Sequence, residues 1–220
     1  MTWFTKVMIN PQRREARKLL LHPEAMHAAV RASFPPDLDP SSRVLWRHDH
    51  NGAEHIIYMV SPEPPDPSHL VESSGWQTRP AMTADYQPLL SSLRIGQQWH
   101  FELVANPTHS LPQEHGKRGK IVAHVTANQQ MEWLARQGTP RGFSVMSAAV
   151  TERGVLRFRK GESKQHDVNI SMARFRGELE ITDTEQLRDT LINGMGRGKA
   201  YGCGLLTLAH SKVIHDGIAE

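Results

Sequence analysis

The amino-acid sequence predicts an α+β fold with two tandem domains, and three observations support this class. Strand-like and helix-like patterns follow one another, in outline, in the order β-α-β-β-α-β in each half of the chain. Fourteen prolines and sixteen glycines indicate many turns, which disfavours a helical bundle. A length of 220 residues fits two units of about 100 residues each. The repeated order is that of the ferredoxin-like fold.

In the first half, a strand at 3–9 and a helix at 23–34 are the clearest elements. The strand ends at an Asn-Pro pair, which favours a turn. The helix begins with a proline, which suits the first helical turn. Its apolar residues Met26, Val30 and Phe34 recur every four positions and therefore share one face. We expect this face to pack in the core.

Three further strands follow in the first half. Short strands at 43–47 and 55–60 flank a turn that contains Gly52, which is typical of a hairpin. A strand at 98–105 alternates large apolar residues with other residues, so one of its sides is expected to be buried. The apolar residues on that side are Trp99, Phe101 and Leu103.

A polar and basic segment at 108–120 is the best candidate for a linker. It divides the chain into a predicted N-terminal domain at 1–107 and a predicted C-terminal domain at 121–220. Asp183 is the expected N-cap of the last helix, because its carboxylate can accept hydrogen bonds from free N–H groups. The predicted elements of the second domain are strands at 121–125, 143–151, 155–159, 167–181 and 205–209 and helices at 128–136 and 183–192.

Positive charge is concentrated in three clusters, although the net charge is only +3. Basic stripes are typical of a surface that binds a polyanion such as a nucleic acid, and solvated faces without a ligand are the alternative. The clusters comprise Arg13, Arg14, Arg17 and Lys18, then Lys117, Arg118 and Lys120, then Arg153, Arg157, Arg159, Lys160 and Lys164.

Composition also limits the cellular context. The single cysteine, Cys203, excludes an internal disulfide framework. The first residues lack the apolar core of a signal peptide. Charges or prolines interrupt every apolar run before it reaches the length of a transmembrane helix. We therefore expect a cytoplasmic protein.

The run 194–206 is the most distinctive motif, with five glycines and the cations Arg197 and Lys199 between them. Glycine permits positive φ and close approach of backbone N–H groups, so such a loop can bind phosphate. A P-loop is excluded, because Asn193 and Ala200 stand where glycine and Ser or Thr are required. A dinucleotide-binding fingerprint is excluded because the predicted element before the loop is a helix. A tight helix-to-strand connection without a ligand is the alternative.

The same run resembles a family signature. Residues 199–209, Lys-Ala-Tyr-Gly-Cys-Gly-Leu-Leu-Thr-Leu-Ala, are similar to the C-terminal glycine-rich motif of the RAMP superfamily of CRISPR-associated proteins. Within it, they most resemble the CasE family of pre-crRNA endoribonucleases from type I-E systems. Three other segments agree with that family, namely 6–11, Met26-His27 followed by Phe34-Pro35, and 104–107. The resemblance therefore spans nearly all of the chain.

The resemblance implies two tandem ferredoxin-like domains and an endoribonuclease that uses no metal or other cofactor. Such enzymes cleave CRISPR precursor RNA at the 3′ base of the repeat stem-loop. The 2′-hydroxyl attacks the adjacent phosphate, which gives a 2′,3′-cyclic phosphate and a 5′-hydroxyl, and the product is retained in the Cascade complex. The expected partners are the repeat stem-loop and other Cascade subunits, with no membrane. The alternative is a RAMP-type module that binds guide RNA without cutting it.

His27 matches the catalytic histidine of the family, and His22, at the start of the helix, is the second candidate. His27 follows Met26, so it lies about 100° around the helix from the apolar stripe, at the edge of the buried face. Imidazole can give or take a proton at neutral pH. Some relatives carry a tyrosine one turn earlier, where this chain has Glu24, and a carboxylate cannot replace a phenol as a proton donor. The other expected catalytic residues are the cations Arg159 and Lys160, which can stabilise the charged transition state.

RNA contacts are expected from the basic clusters, from the glycine-rich loop and from Arg31, which shares a helix face with His27. A metal hydrolase is a third hypothesis, since His48, His50 and His55 lie around one predicted hairpin turn. No metal site is predicted there, because carboxylate ligands at a fixed spacing are missing. The expected RNA-binding residues are Arg31, Lys117, Arg118, Lys120, Arg153, Arg157, Gly194, Gly196, Arg197, Gly198 and Lys199.

Overall fold

The computed structural model describes residues 1–39, 42–112, 119–160 and 166–210, and these form two four-stranded antiparallel sheets and one hairpin. The first sheet has the order β2-β3-β1-β4 and the second the order β10-β5-β9-β8. The strands are β1 (Trp3–Ile9), β2 (Leu45–Asn51), β3 (Glu54–Ser61), β4 (Met82–Asp85), β5 (Gln98–Ala105), β6 (Thr108–Leu111), β7 (Lys120–Ala123), β8 (Phe143–Lys160), β9 (His166–Ile181) and β10 (Leu206–His210).

Helices connect the strands in the same way in both halves, so the predicted tandem ferredoxin-like architecture is confirmed. Asp183 caps the last helix as predicted, because its side chain accepts hydrogen bonds from the first free N–H groups. Across the described residues, no helix is both long and apolar enough to cross a membrane. The helices are α1 (Arg14–Leu21), α2 (Pro23–Arg31), α3 (Ser68–Ser74), α4 (Gln87–Ser92), α5 (Ala127–Gly138) and α6 (Thr184–Asn193).

The predicted position of the domain boundary is wrong. The sequence predicts that the strand at 98–105 closes a domain at 1–107, but β5 lies in the second sheet, between β10 and β9. The segment 108–120 is not a linker between the sheets, since β6 pairs with β7 inside the second unit. Alternation of apolar residues identifies a strand and its buried face, but it does not identify the sheet that the strand joins. The connection between the two sheets is 86–97.

Two helices, instead of one, follow the first strand. α1 ends where His22 adopts an extended conformation before Pro23, which is the conformation that a following proline favours. Pro23 then occupies the first turn of α2, as predicted. Residues 14–21 contain many charged side chains, which mask the apolar face that α1 packs against the core through Ala16, Leu19 and Leu20.

β8 and β9 form a long hairpin that extends beyond the sheet. The sequence predicts separate strands at 143–151 and 155–159, whereas β8 runs unbroken through Gly154, which pairs with Met172 of β9. Two irregularities in register occur earlier in the strand, before residue 153. Such irregularities bend a strand without ending it.

The first sheet is covered on both faces. On one face it packs against its own helices, and the predicted helix stripe of Met26, Val30 and Phe34 is buried there. On the other face, Leu45 and Val60 belong to the core of the second unit. Trp99, Phe101 and Leu103 are buried in that second core, as predicted.

Candidate active site

His27 lies on α2, at the edge of the helix face that packs into the core. Met26 and Val30 are buried on that face and His27 is half-buried, so the predicted position of His27 is confirmed. α2 contacts a short 3-10 turn, Lys199–Tyr201, within the glycine-rich loop. The fold therefore brings the helix that carries the candidate histidine against a motif from the other end of the chain.

The glycine-rich loop packs tightly against protein. Its five glycines all have positive φ, between 69° and 92°. At Gly202 an added Cβ would lie 2.8 Å from the ring of Trp46, on β2. At Gly204 an added Cβ would lie 2.5 Å from the carbonyl oxygen of Met195. Glycine is required at both positions by backbone conformation and by close contact with other residues of this chain.

The cations of the loop have different surroundings. Arg197 is exposed, and its backbone forms an isolated bridge with Asn106. Lys199 is half-buried and its Nζ donates a hydrogen bond to the carbonyl oxygen of Asn193 at 2.7 Å, at the C-terminal end of α6. Burial is the main cause of a lowered pKa at Lys199. Lys199 therefore stabilises the loop, and RNA contact by the loop residues stays a prediction for Gly194, Gly196, Arg197, Gly198 and Lys199.

A buried arginine on β2 joins the two sheets. Arg47 is 2% exposed, and its Nε and Nη2 donate to the two carboxylate oxygens of Asp49, each at 2.7 Å. Its Nη1 donates to main-chain oxygens of the second unit, at 2.7 Å for Glu102 and 3.1 Å for Leu205. The guanidinium thus bridges from its own strand to two segments of the other sheet.

A second arginine, Arg174 on β9, meets the same carboxylate from the other side. Its Nη1 donates to Asp49 at 2.7 Å and also to Glu102. Its Nη2 donates to the main-chain oxygen of His48 at 2.7 Å, and its Nε to Glu152 at 3.1 Å. Burial alone would raise the pKa of Asp49, but the two arginines outweigh it and the pKa is lowered. The carboxylate of Asp49 therefore stays ionised between two cations.

This interdomain charge network is absent from the sequence predictions. Arg47 and Asp49 are two residues apart in a strand and so share a face, which is the one signal that the sequence offers. Arg174 contacts Asp49 across 125 positions in sequence, and nothing in its local pattern distinguishes it from Arg176. Its role depends on how the sheets dock.

The three histidines of the β2–β3 hairpin do meet. His48 Nε2 and His55 Nδ1 lie 2.9 Å apart, in a hydrogen bond between rings whose centroids are 5.1 Å apart. His50 Nε2 lies 3.4 Å from Glu152 Oε2. In the described part of the chain, no group of three or more His, Cys, Asp or Glu side chains is arranged to hold a metal ion. The hypothesis of a metal hydrolase at this hairpin thus has no ligand set there to support it.

Acidification is expected to destabilise the protein through His48. Burial, then the neighbouring His55 and His50, lowers the pKa of His48 from 6.5 to about 4. Between these values the unfolded state binds more protons than the folded state, so stability falls as the pH falls. The contribution of neutral His48 is complete above about pH 6.5 and is lost progressively down to about pH 4.

Urea denaturation at pH 7, 6 and 5 tests this expectation. The free energy of unfolding should fall with pH in the wild type and should fall less in a His48→Asn variant. His22→Asn, at an exposed histidine between α1 and α2, is the control and should keep the wild-type slope. Equal slopes in all three proteins would contradict the assignment to His48.

The predicted RNA-binding cations outside the loop lie on both units. Arg31 is half-buried in the last turn of α2, and Lys120 is exposed at the start of β7. Arg153 and Arg157 are exposed on β8 and share one face of the strand. RNA contact by these residues stays a prediction. Lys117 and Arg118 lie outside the described residues, as do the side chains of Arg159 and Lys160.

Comparison with known proteins places the chain in a family. A family model described as "CRISPR associated protein" matches residues 2–210. The CRISPR-associated endoribonuclease Cse3 of Thermus thermophilus is 32% identical over 221 residues, which cover 94% of this chain and 99% of that protein. The CRISPR system Cascade subunit CasE of Escherichia coli is 24% identical over 194 residues, which cover 82% of this chain and 96% of that protein.

The fold agrees with the sequence comparison. The structure of Thermus thermophilus Cse3 bound to an RNA representing a pre-cleavage complex matches with a TM-score of 0.77 and 29% identity, over 95% of this chain and 99% of that one. The resemblance to the CasE branch that residues 199–209 predict is thereby confirmed. The chain belongs to the family of CRISPR-associated proteins.

Proposed function

We propose that this chain is an endoribonuclease that cleaves CRISPR precursor RNA at the 3′ base of the repeat stem-loop and keeps the mature crRNA within Cascade. The Thermus relative that the chain matches over nearly its whole length is an endoribonuclease, and the Escherichia coli relative is a Cascade subunit. The observation that carries the proposal is the contact between α2, which bears His27, and the glycine-rich loop. We place this activity in the cytoplasm.

The reaction requires two proton transfers and stabilisation of charge. A bond forms between the 2′-oxygen and phosphorus while the bond from phosphorus to the 5′-oxygen breaks. The 2′-hydroxyl loses a proton and the leaving 5′-oxygen gains one. His27 is suited to one of these transfers, because imidazole changes charge near neutral pH and a rigid helix holds it in place. Arg159 and Lys160, at the end of β8, are the proposed cations for the pentavalent phosphate.

Removal of divalent metal is expected to leave the reaction unchanged, since the nucleophile, the proton transfer and the cations all come from RNA and protein. The experiment incubates the protein with its repeat stem-loop RNA in excess EDTA and identifies the product ends. We expect a 2′,3′-cyclic phosphate on the upstream fragment and a 5′-hydroxyl on the downstream fragment. Cleavage that requires added magnesium and leaves a 3′-hydroxyl would overturn the proposed mechanism. Tight binding with no cleavage in either condition would instead favour a non-catalytic guide-RNA-binding module.

A further inference from the structure

A cleft of about 140 Å³ opens beside α2, where the two units meet. Its walls come from α1 and α2, from β2, from the β8–β9 hairpin and from the glycine-rich loop. Most of the lining is apolar, and His50, Glu152 and Arg174 form a polar end. The apolar walls include Leu19, Leu20, Met26, Trp46, Leu156 and Met172.

Gly154 keeps this cleft open. It lies between Glu152 and Leu156 on β8, and because alternate residues of a strand share a face, all three face the cleft. An added Cβ at Gly154 would meet no atom within 4 Å, and its φ is not positive. Backbone conformation therefore does not require glycine here, unlike at Gly202. The absence of a side chain at Gly154 leaves space in the cleft for a ligand.

The polar end presents a fixed carboxylate. Arg174 Nε donates to Glu152 Oε2 at 3.1 Å, and His50 Nε2 lies 3.4 Å from the same oxygen. The Glu152 side chain is nevertheless 51% exposed. Carboxylates accept hydrogen bonds from the exocyclic amino groups of nucleobases. An apolar slot that ends in an anchored carboxylate fits a flat ring that carries an amino group.

We propose that this cleft binds one unstacked nucleobase next to the scissile phosphate, with an amino-bearing base (adenine, cytosine or guanine) preferred. Proteins that recognise RNA by sequence commonly take unstacked bases into pockets of aromatic and apolar side chains. Attack of a 2′-hydroxyl in line with the leaving 5′-oxygen requires the nucleotide to leave regular helical stacking. Met26, which lines the cleft, directly precedes His27 on α2, so the cleft opens at the same helical turn that carries the candidate catalytic histidine. This inference rests on the proposed function for the identity of the ligand.

The test combines two changes that remove the same interaction. Gly154→Phe fills the cleft, and Gly154→Ala is the matched control that removes the glycine without filling it. The RNA probes are repeat stem-loops with a 2′-deoxy nucleotide at the cut, carrying either the normal base or an abasic residue at one of the two nucleotides that flank the scissile phosphate. Affinities of the wild type, Gly154→Phe and Gly154→Ala for the normal and the abasic RNA, six combinations in all, are measured for each flanking position.

At one flanking position, the abasic residue should weaken binding to the wild type and to Gly154→Ala by about tenfold, which is typical of losing one stacked base. Gly154→Phe should bind the normal RNA about tenfold more weakly than the wild type does. The abasic residue should not weaken binding to Gly154→Phe any further. Glu152→Gln, which keeps the size of the side chain, should reduce the preference for an amino-bearing base over uracil.

Additive losses from Gly154→Phe and the abasic residue, or no effect of the abasic residue at either position, would overturn the proposal. The binding measurements use RNA that is not cut, so they report on the cleft independently of catalysis. Failure of the proposed function would appear separately, as a wild-type protein that does not cleave the all-ribose RNA.

Discussion

Replacement of Asp49 by alanine is expected to lower the free energy of unfolding by about 3–5 kcal/mol. The carboxylate accepts hydrogen bonds from both Arg47 and Arg174, and both guanidinium groups are almost completely buried. Removing it leaves Arg47 with carbonyl partners only, Glu102 and Leu205. Arg174 keeps Glu102 and Glu152 as partners, but Arg47 would lie beside it without a carboxylate in a region with little water, so the loss exceeds that of a surface ion pair.

Urea denaturation at pH 7 measures this loss, with Asp37→Ala as the matched control. Asp37 is an exposed carboxylate, and its replacement should change the free energy of unfolding by less than about 0.5 kcal/mol. Because the network lies between the two sheets, the Asp49→Ala protein should also lose cooperativity between the units. Equal stabilities of the two variants would show that the network does not hold the sheets together.

Replacement of His27 by alanine is expected to reduce the rate of single-turnover cleavage by about 10²–10⁴-fold, the range typical of a lost general acid or base. Affinity for the stem-loop should remain close to that of the wild type, because phosphate contacts by cations supply most of the binding energy. Since His27 is only half-buried at the edge of the core stripe, the variant should fold normally.

His22→Ala is the control for this experiment. His22 lies five residues earlier, at the junction of α1 and α2, and is exposed. Its replacement should leave the cleavage rate within the experimental error of the wild type. If His22→Ala and His27→Ala lose the same activity, or if His27→Ala loses binding in proportion to cleavage, a positional role of α2 replaces proton transfer by His27.

The sequence predicts what depends on local pattern. The stripe of Met26, Val30 and Phe34, the alternation in β5 and the cap at Asp183 each follow from spacing along one element, and each is confirmed. Spacing does not specify how elements assemble. The sequence therefore assigns β5 to the wrong unit, because the pairing of β5 with β9 and β10 depends on segments that are distant in the chain.

In the glycine-rich loop, too, the local pattern predicts the backbone conformation but not the tertiary contacts. Its glycines do adopt positive φ, as the sequence predicts. The sequence predicts RNA contact at Gly194, Gly196 and Gly198, which stays a prediction, whereas Gly202 and Gly204 are required by contacts with Trp46 and Met195. A pattern of glycines indicates that another group lies close to the backbone, and the tertiary structure shows which residue or ligand that group belongs to. The buried pair of Arg174 and Asp49 and the cleft at Gly154 likewise exist only once the two sheets have docked.

In the proposed reaction, the RNA's own 2′-hydroxyl attacks the scissile phosphate. The most direct measurement is single-turnover cleavage, in EDTA, of a repeat stem-loop in which the nucleotide just upstream of the cut is 2′-deoxy, alongside the all-ribose RNA. The wild-type protein should cut the all-ribose RNA, bind the deoxy RNA with nearly the same affinity and leave the deoxy RNA uncut. Cleavage of the deoxy RNA at the same position and at a similar rate would exclude attack by the 2′-hydroxyl, since another nucleophile would then attack the phosphate.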